Sequence, residues 1–137
     1  MGLDPATISH ILNLLFNATA YTPPSTYYVA LGTDAEPDGS TFTEIGTVGV
    51  DGYARVSKAA NNTNFSTSAA GSDIHNLVVV TFPTVATVDW GTARDFALFD
   101  AATAGNKIAY GVLLASQICA VGDTPSFAIS ALVAHLV

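Results

Sequence analysis

The chain has 137 residues, of which 50% are apolar and only 11% are Asp, Glu, Lys or Arg, against roughly 25% charged residues in an ordinary soluble domain. Its net charge of −7 includes just four cations, Arg55, Lys58, Arg94 and Lys107, too few to bind a nucleic-acid backbone or an anionic membrane. The single Cys119 excludes an internal disulfide and a multi-cysteine metal site, and no apolar run approaches the ~20 residues of a membrane span.

The shortage of ions predicts a protein that packs against other proteins. A domain of this length has a high ratio of surface to volume, and this chain must cover much of that surface with Thr, Ser, Asn, Gly and Ala. Such a surface is weakly protected against association. We therefore expect an assembly subunit.

A helix is the first predicted element. Asp4 is a suitable N-cap, and Pro5 stands in the first turn, where proline is tolerated. Apolar residues then recur at helical spacing over residues 5–19, and the Tyr-Thr-Pro-Pro segment that follows ends the helix. We predict residues 1–24 as a helix and linker that form an arm for oligomerisation or anchoring. The broad apolar face is predicted to form the interface, through Ile8, Ile11, Leu12, Leu15 and Phe16.

Strand and turn signals alternate after the arm. We predict strands over residues 26–31, 46–56, 77–82, 85–88, 96–99, 108–114 and 127–137. Turns are expected at residues 51–52, 103–106 and 122–125, and residues 59–73 read as a long loop or a weak edge strand. The predicted fold is mainly β, an N-terminal α-helix followed by a jelly-roll-like β-sandwich of seven or eight strands over residues 25–137.

The acidic segment after the first strand is a candidate cation site. Asp34, Glu36 and Asp38 precede a glycine in the pattern that opens an EF-hand calcium loop. However, Ile45 stands at the twelfth position, where a bidentate acid is needed, Pro37 lies inside the loop, and no helix flanks it. We therefore expect a solvated acidic turn and no metal, with calcium at these three carboxylates as the alternative.

No group of residues has the pattern of a catalytic site. His75 follows Asp73 closely, but the chain has no G-x-S-x-G motif, and its three histidines are scattered. Cys119 lies between Ile118 and Ala120, as a small buried hydrophobic residue would. Trp90 is expected in the core or in an interface rather than on a sugar-binding platform. Turn and strand-end roles are expected for Asp89, Asp95 and Asp100. We predict that the protein is not an enzyme and has no cofactor.

Several short stretches carry a resemblance to a known family. From Trp90 onward the chain reads W-G-T, F-A-L-F-D-A-A-T-A-G-N, Y-G-V-L and G-D-T-P-S-F-A. Upstream, residues 19–24 (TAYTPP), 28–33 (YVALGT), 52–55 (GYAR) and 80–83 (VTFP) fit the same pattern. Together these stretches resemble a family of small virion proteins of tailed bacteriophages, and the similarity spans nearly the whole chain. Because the motifs consist of turn and core residues, the resemblance implies a fold and a structural role and transfers no catalytic residue.

The resemblance implies a bacteriophage virion structural protein. Members are tail-fibre or minor structural proteins, and some such small β-proteins resemble capsid decoration (cement) subunits. We predict a decoration protein that binds and stabilises the lattice of the major capsid protein, located in the virion and made in the host cytoplasm. The alternative is a tail-fibre or baseplate-associated subunit that contacts a host glycan. We expect a homo-oligomer, with a trimer as the favoured state. It should bind other virion proteins, and neither nucleic acid nor a membrane.

Overall fold

A computed structural model describes residues 2–35, 41–66 and 73–135. These residues form one helix and nine strands. In chain order the elements are β1 (Gly2–Leu3), α1 (Pro5–Asn17), β2 (Thr26–Gly32), β3 (Val56–Ala59), β4 (Asp73–His75), β5 (Val80–Thr81), β6 (Gly91–Phe99), β7 (Lys107–Cys119), β8 (Ser126–Phe127) and β9 (Val133–His135).

The main sheet has five antiparallel strands in the order β1-β7-β6-β2-β3. β6 is its central strand, and Phe96, Ala97 and Leu98 are all buried. Because neighbouring side chains in a strand point to opposite faces, this run shows that β6 is covered on both sides. The apolar sequence of this segment predicts the same arrangement, which the structure confirms.

A second, smaller layer packs on one face of the main sheet. It consists of the two-stranded sheets β4–β9 and β5–β8. The core between the layers joins large buried side chains from both, namely Val29, Leu31, Phe96 and Leu98 with Val80, Phe82, Phe127 and Leu132. The mainly β class and the N-terminal helix are therefore confirmed, and the layers have a sandwich-like arrangement.

The buried Asn76 holds the second layer together. Its side-chain amide donates to the carbonyls of Val78 (2.9 Å) and Ala128 (2.8 Å). Its side-chain oxygen accepts from the Leu132 amide at 2.9 Å. One satisfied polar side chain thus joins segments more than 50 residues apart, which is how a layer of very short strands is kept in place.

The β6–β7 hairpin confirms the predicted turn at residues 103–106. Asp100 accepts hydrogen bonds from the backbone and side-chain nitrogens of Asn106 at 2.7 and 2.8 Å. Gly105 has φ of +77°, and a Cβ there would collide with the Asp100 carboxylate. At position 105, therefore, only glycine fits without strain.

Several predicted strands are wrong or are shorter than predicted. Residues 46–56 form turns up to the start of β3, because Asp51 and Gly52 take positive φ and Tyr53 is buried in the core. Residues 77–82 contribute only β5, and residues 85–88 form no strand. The closing segment is divided between β8 and β9 by a turn at Ser130, where φ is +63°. In each case an apolar side chain enters the core from a turn rather than from a strand.

Arg55 joins three parts of the main sheet. Its Nε and Nη2 donate to the two carboxylate oxygens of Glu44 at 2.9 and 2.8 Å. Its Nη1 donates to the carbonyls of Ala101 (2.9 Å) and Ala104 (2.8 Å) in the β6–β7 hairpin. The guanidinium also stacks over Phe99, with 3.8 Å from Cζ to the ring centroid. With its side chain only 5% exposed, Arg55 is a buried cation whose hydrogen-bond donors are used by the fold.

We expect the Arg55→Ala substitution to lower the free energy of unfolding by about 3 kcal/mol, because Glu44 loses its partner and two hairpin carbonyls lose their donor. Arg55→Lys keeps the charge, but one ammonium cannot reproduce the planar fork, so an intermediate loss is expected. Chemical denaturation followed by tryptophan fluorescence measures both. The matched control is Arg94→Ala at an exposed position of β6, for which a change within about 0.5 kcal/mol is expected. Equal losses at both arginines would contradict the prediction.

Candidate assembly surface

The helix α1 begins as its sequence predicts. Asp4 is the N-cap and accepts a hydrogen bond from the Ala6 amide at 2.9 Å, with Pro5 in the first turn. The helix ends at Ala18, which has left-handed φ of 51°. His10 then stacks on Tyr21 with ring centroids 4.7 Å apart, so the following linker runs back along the helix.

The base of α1 is fixed to the main sheet. β1 pairs with Ala109 and Tyr110 of β7, and the Asp4 amide donates to the Ile108 carbonyl at 2.8 Å. The Asp4 carboxylate also lies 3.6 Å from the Lys107 ammonium. Only Thr7 of the helix is buried. The sheet therefore holds the first turn and leaves the rest of the helix exposed.

The apolar face of α1 is open in the described chain. The exposed fraction is 49% for Leu12, 68% for Leu15 and 78% for Phe16, whereas Ile8 and Ile11 are half-buried. Leu14 adds to the same exposed end at 47%. The helix contains no Asp, Glu, Lys or Arg. All five predicted interface residues therefore lie on one helix, and the three nearest its C-terminal end form an uncharged apolar surface, called the helix surface below.

A second apolar surface lies on β7. Ala93 is opposite Gln117 and Asp95 is opposite Val112, so the single residue between them on β6 faces residues 113–116 of β7. This wide bulge leaves Leu114 87% exposed, and Ile118 nearby is 69% exposed. Sequence reasoning predicted only a strand here. The available signal was the pair Leu113-Leu114, which breaks the alternation of a half-buried strand.

The acidic segment is only partly described. Asp34 accepts a hydrogen bond from the Thr43 amide and donates its own amide to the Asp95 carboxylate, both at 3.1 Å. Glu36 and Asp38 lie outside the described residues. Within residues 2–35, 41–66 and 73–135, no group of three His, Cys, Asp or Glu side chains could hold a metal ion.

Asp95 differs from the strand-end role that its sequence predicts. It lies within β6 and is fully buried. Oδ1 accepts from the Asp34 amide, whereas Oδ2 has no hydrogen-bond partner among the described residues. Burial is the main cause that raises the pKa of this carboxyl to about 6. No sequence pattern marks its burial, because it directly follows the charged Arg94.

The remaining candidates His75, Trp90 and Cys119 occupy partly or fully buried positions in the described residues. His75 is half-buried in β4, and Trp90 is in the core, where it packs edge-on against Tyr53 at 5.1 Å between centroids. Cys119 is buried, as its sequence predicts, and burial raises the pKa of its thiol, which makes it a poor nucleophile. Asp100 and Asp89 do have turn roles, with Asp89 accepting from the Val121 amide at 2.7 Å.

Residues 6–135 match the protein family described as podophage GP4 fiber I protein gp80. The chain belongs to this family. The match covers α1, the linker and the strands up to β9, so it includes both apolar surfaces. No curated protein matches the chain. In the part of the chain that the structure describes, no helix has the length and apolarity to cross a membrane.

Membership of this family confirms the resemblance to virion structural proteins of tailed bacteriophages. The protein is a virion structural protein of a phage fibre-protein family. The two exposed apolar surfaces are what such a role requires, because a virion protein acts by permanent contact with its neighbours.

The buried carboxyl of Asp95 predicts a pH-dependent stability. Its pKa in the folded protein, about 6, lies above the ordinary value of 3.8, so the folded state binds this proton more tightly than the unfolded state does. The free energy of unfolding should therefore fall as the pH rises from about 4 to about 6. We expect Asp95→Asn to remove this slope and to raise stability at pH 7.5 by about 2 kcal/mol. Denaturant unfolding at a series of pH values measures it.

The matched control is Asp89→Asn, at an exposed carboxylate that also accepts one backbone amide. This variant should keep the pH slope of the unsubstituted protein. An Asp95→Asn protein with an unchanged slope between pH 4 and 6 would contradict the assignment.

Proposed function

We propose that this protein is a fibre-associated structural subunit that oligomerises through the helix surface and binds other virion proteins. The observation that carries the proposal is the uncharged, open face of α1. A helix with such a face must pack against something, and the sheet of its own chain contacts only the first turns. The family description, a podophage fibre protein, supports the fibre location.

The anchoring of α1 supports a role in assembly rather than in folding. The Asp4 cap, the β1–β7 pairing and the Asp4–Lys107 ion pair all fix the start of the helix. A fixed start loses little conformational freedom when the remaining helix is bound. The surface is therefore ordered in advance for a partner.

A binding role without catalysis is part of the proposal. The buried thiol of Cys119 is a poor nucleophile, and covalent hydrolysis needs an activated nucleophile beside a base. The absence of wall-degrading activity from the purified protein in a zymogram supports this part of the proposal, and a cleared band would contradict it.

Capsid decoration remains the second candidate, because an ion-poor subunit with modest contacts also suits a protein repeated over a shell. The number of copies in each particle separates the two locations. A fibre-associated subunit should be present in a handful of copies, and a decoration protein in numbers comparable with the major capsid protein. Quantitative mass spectrometry of purified virions measures this ratio, and near-equal numbers would favour the shell.

We expect the double substitution Leu15→Ser and Phe16→Ser to convert the oligomer to a monomer. Both side chains are more than two-thirds exposed, so the fold should keep its stability while the apolar contact with a partner is lost. Sedimentation velocity across a concentration series measures the change, with an increase of about tenfold or more in the dissociation constant. Point substitutions are preferable to deletion of the arm, because deletion would also remove β1 from the main sheet.

The control is Val50→Ser, at an apolar side chain that is 50% exposed in a turn away from α1. It should sediment like the unsubstituted protein. If the unsubstituted protein is a monomer at high concentration, or if the Leu15 and Phe16 double variant keeps its oligomeric state, the proposed role of the helix surface is wrong.

A further inference from the structure

We propose that the helix surface of one subunit binds a groove beside β7 of a second copy, so that the subunits join head to tail. This inference rests on the proposed function and adds the surface that receives the helix. The groove has an open volume of about 340 Å³. One wall consists of residues 113–117 of β7, which include the bulge. The other wall consists of Ser126, Phe127, Ala128 and Ala131.

Charge is the first reason to pair these two surfaces. The groove is lined by apolar, Ser and Gln side chains and by no charged residue, and α1 contains none either. Neither surface therefore has to desolvate an ion when they meet, which is the largest unfavourable term in burying a surface. A charged partner would form no ion pair with either surface.

The bulge determines which kind of backbone can occupy the groove. β1 pairs with β7 only as far as Tyr110, and in the described part of the chain no strand pairs with this edge beyond it. A regular open edge would accept an added strand. The extra residues at positions 113–116 interrupt the regular ladder. A helix satisfies its own backbone hydrogen bonds, so it can pack on this edge through side chains alone.

The area of the helix surface agrees with one side of a stable interface. The three side chains of the helix surface, Leu12, Leu15 and Phe16, are 49–78% exposed and present on the order of 300 Å² of apolar surface, taking about 150 to 250 Å² for a large side chain. A standard interface buries about 800 Å² on each partner, roughly 57% of it apolar. The helix surface therefore supplies most of the apolar part of one side.

Head-to-tail contact covers both exposed surfaces with one kind of joint. If two copies of α1 packed only against each other, Leu114 in the groove would stay 87% exposed. When the helix of each subunit enters the groove of the next, every subunit uses both surfaces. A closed ring of such joints leaves none unpaired.

Two variants that each lack one surface test the inference. The first is the helix variant, with Leu15→Ser and Phe16→Ser. The second is the groove variant Leu114→Lys, which places a charge in the groove through a side chain that is 87% exposed, with Leu114→Ser as a milder form. Circular dichroism and thermal melting establish that each is folded, and Val50→Lys is the control for an added surface charge.

We expect each variant alone to be a monomer, with its dissociation constant raised about tenfold or more. Mixed in equal amounts, they should form a 1:1 heterodimer, because the intact helix of the groove variant fits the intact groove of the helix variant. Sedimentation velocity with a fluorescent label on one variant measures this complex. Val50→Lys should keep the oligomeric state of the unsubstituted protein.

Two results would overturn the inference while leaving the helix interface intact. One is a groove variant, in both its Lys and Ser forms, that oligomerises like the unsubstituted protein while the helix variant is monomeric. The other is a mixture of two monomeric variants that forms no heterodimer. Failure of the proposed function itself has a different signature, an unsubstituted protein that is already a monomer.

Discussion

The bidentate contact between Arg55 and Glu44 is the interaction on which the main sheet depends. A buried guanidinium is stable only when its donors are satisfied and its charge is balanced, and here one carboxylate and two hairpin carbonyls do both. The segment before β3, the segment after β2 and the β6–β7 hairpin must therefore be in place together. Tyr53 strengthens the same junction, because its hydroxyl donates to Glu44 and accepts from the Leu31 amide. One of only four cations in the chain is committed to this junction.

The placement of the other ions explains how so few charges serve a folded domain. Lys107 lies beside Asp4 at the base of α1, and Asp95 is buried in β6, where one of its oxygens has no hydrogen-bond partner within the described residues. Ions that serve the inside of the molecule are not available to cover its outside. The helix surface and the groove carry no charged residue. The low charge content of the chain is therefore most evident on these two surfaces. The composition indicates association, and the fold places some of its few ions, Arg55 and Asp95 among them, where they do not reach the surface.

Local signals were enough to predict the elements whose structure is local. The N-cap at Asp4, the strand β2 and the turn around Gly105 follow from neighbouring residues, and the structure confirms all three. The second layer could not be predicted in the same way. Its strands are two or three residues long, and their positions depend on Asn76, which contacts residues far away in the sequence. The helix surface was predictable from periodicity, but the bulge that forms the groove was not, because it depends on the register between β6 and β7.

The two apolar surfaces also differ in how they are supported, and this difference bears on assembly. One wall of the groove belongs to the longest strand of the main sheet, and the other is formed by residues 126–128 and Ala131. The helix is held at its first turn and by the stacking of His10 on Tyr21, so its start is fixed while its apolar end is open. In the proposed head-to-tail assembly both surfaces are formed before two copies meet, so little conformational freedom is lost when they join. Since each proposed joint would bury a moderate area, the stability of a closed ring would come from closing all joints at once, which would make the complete ring more stable than any partial one.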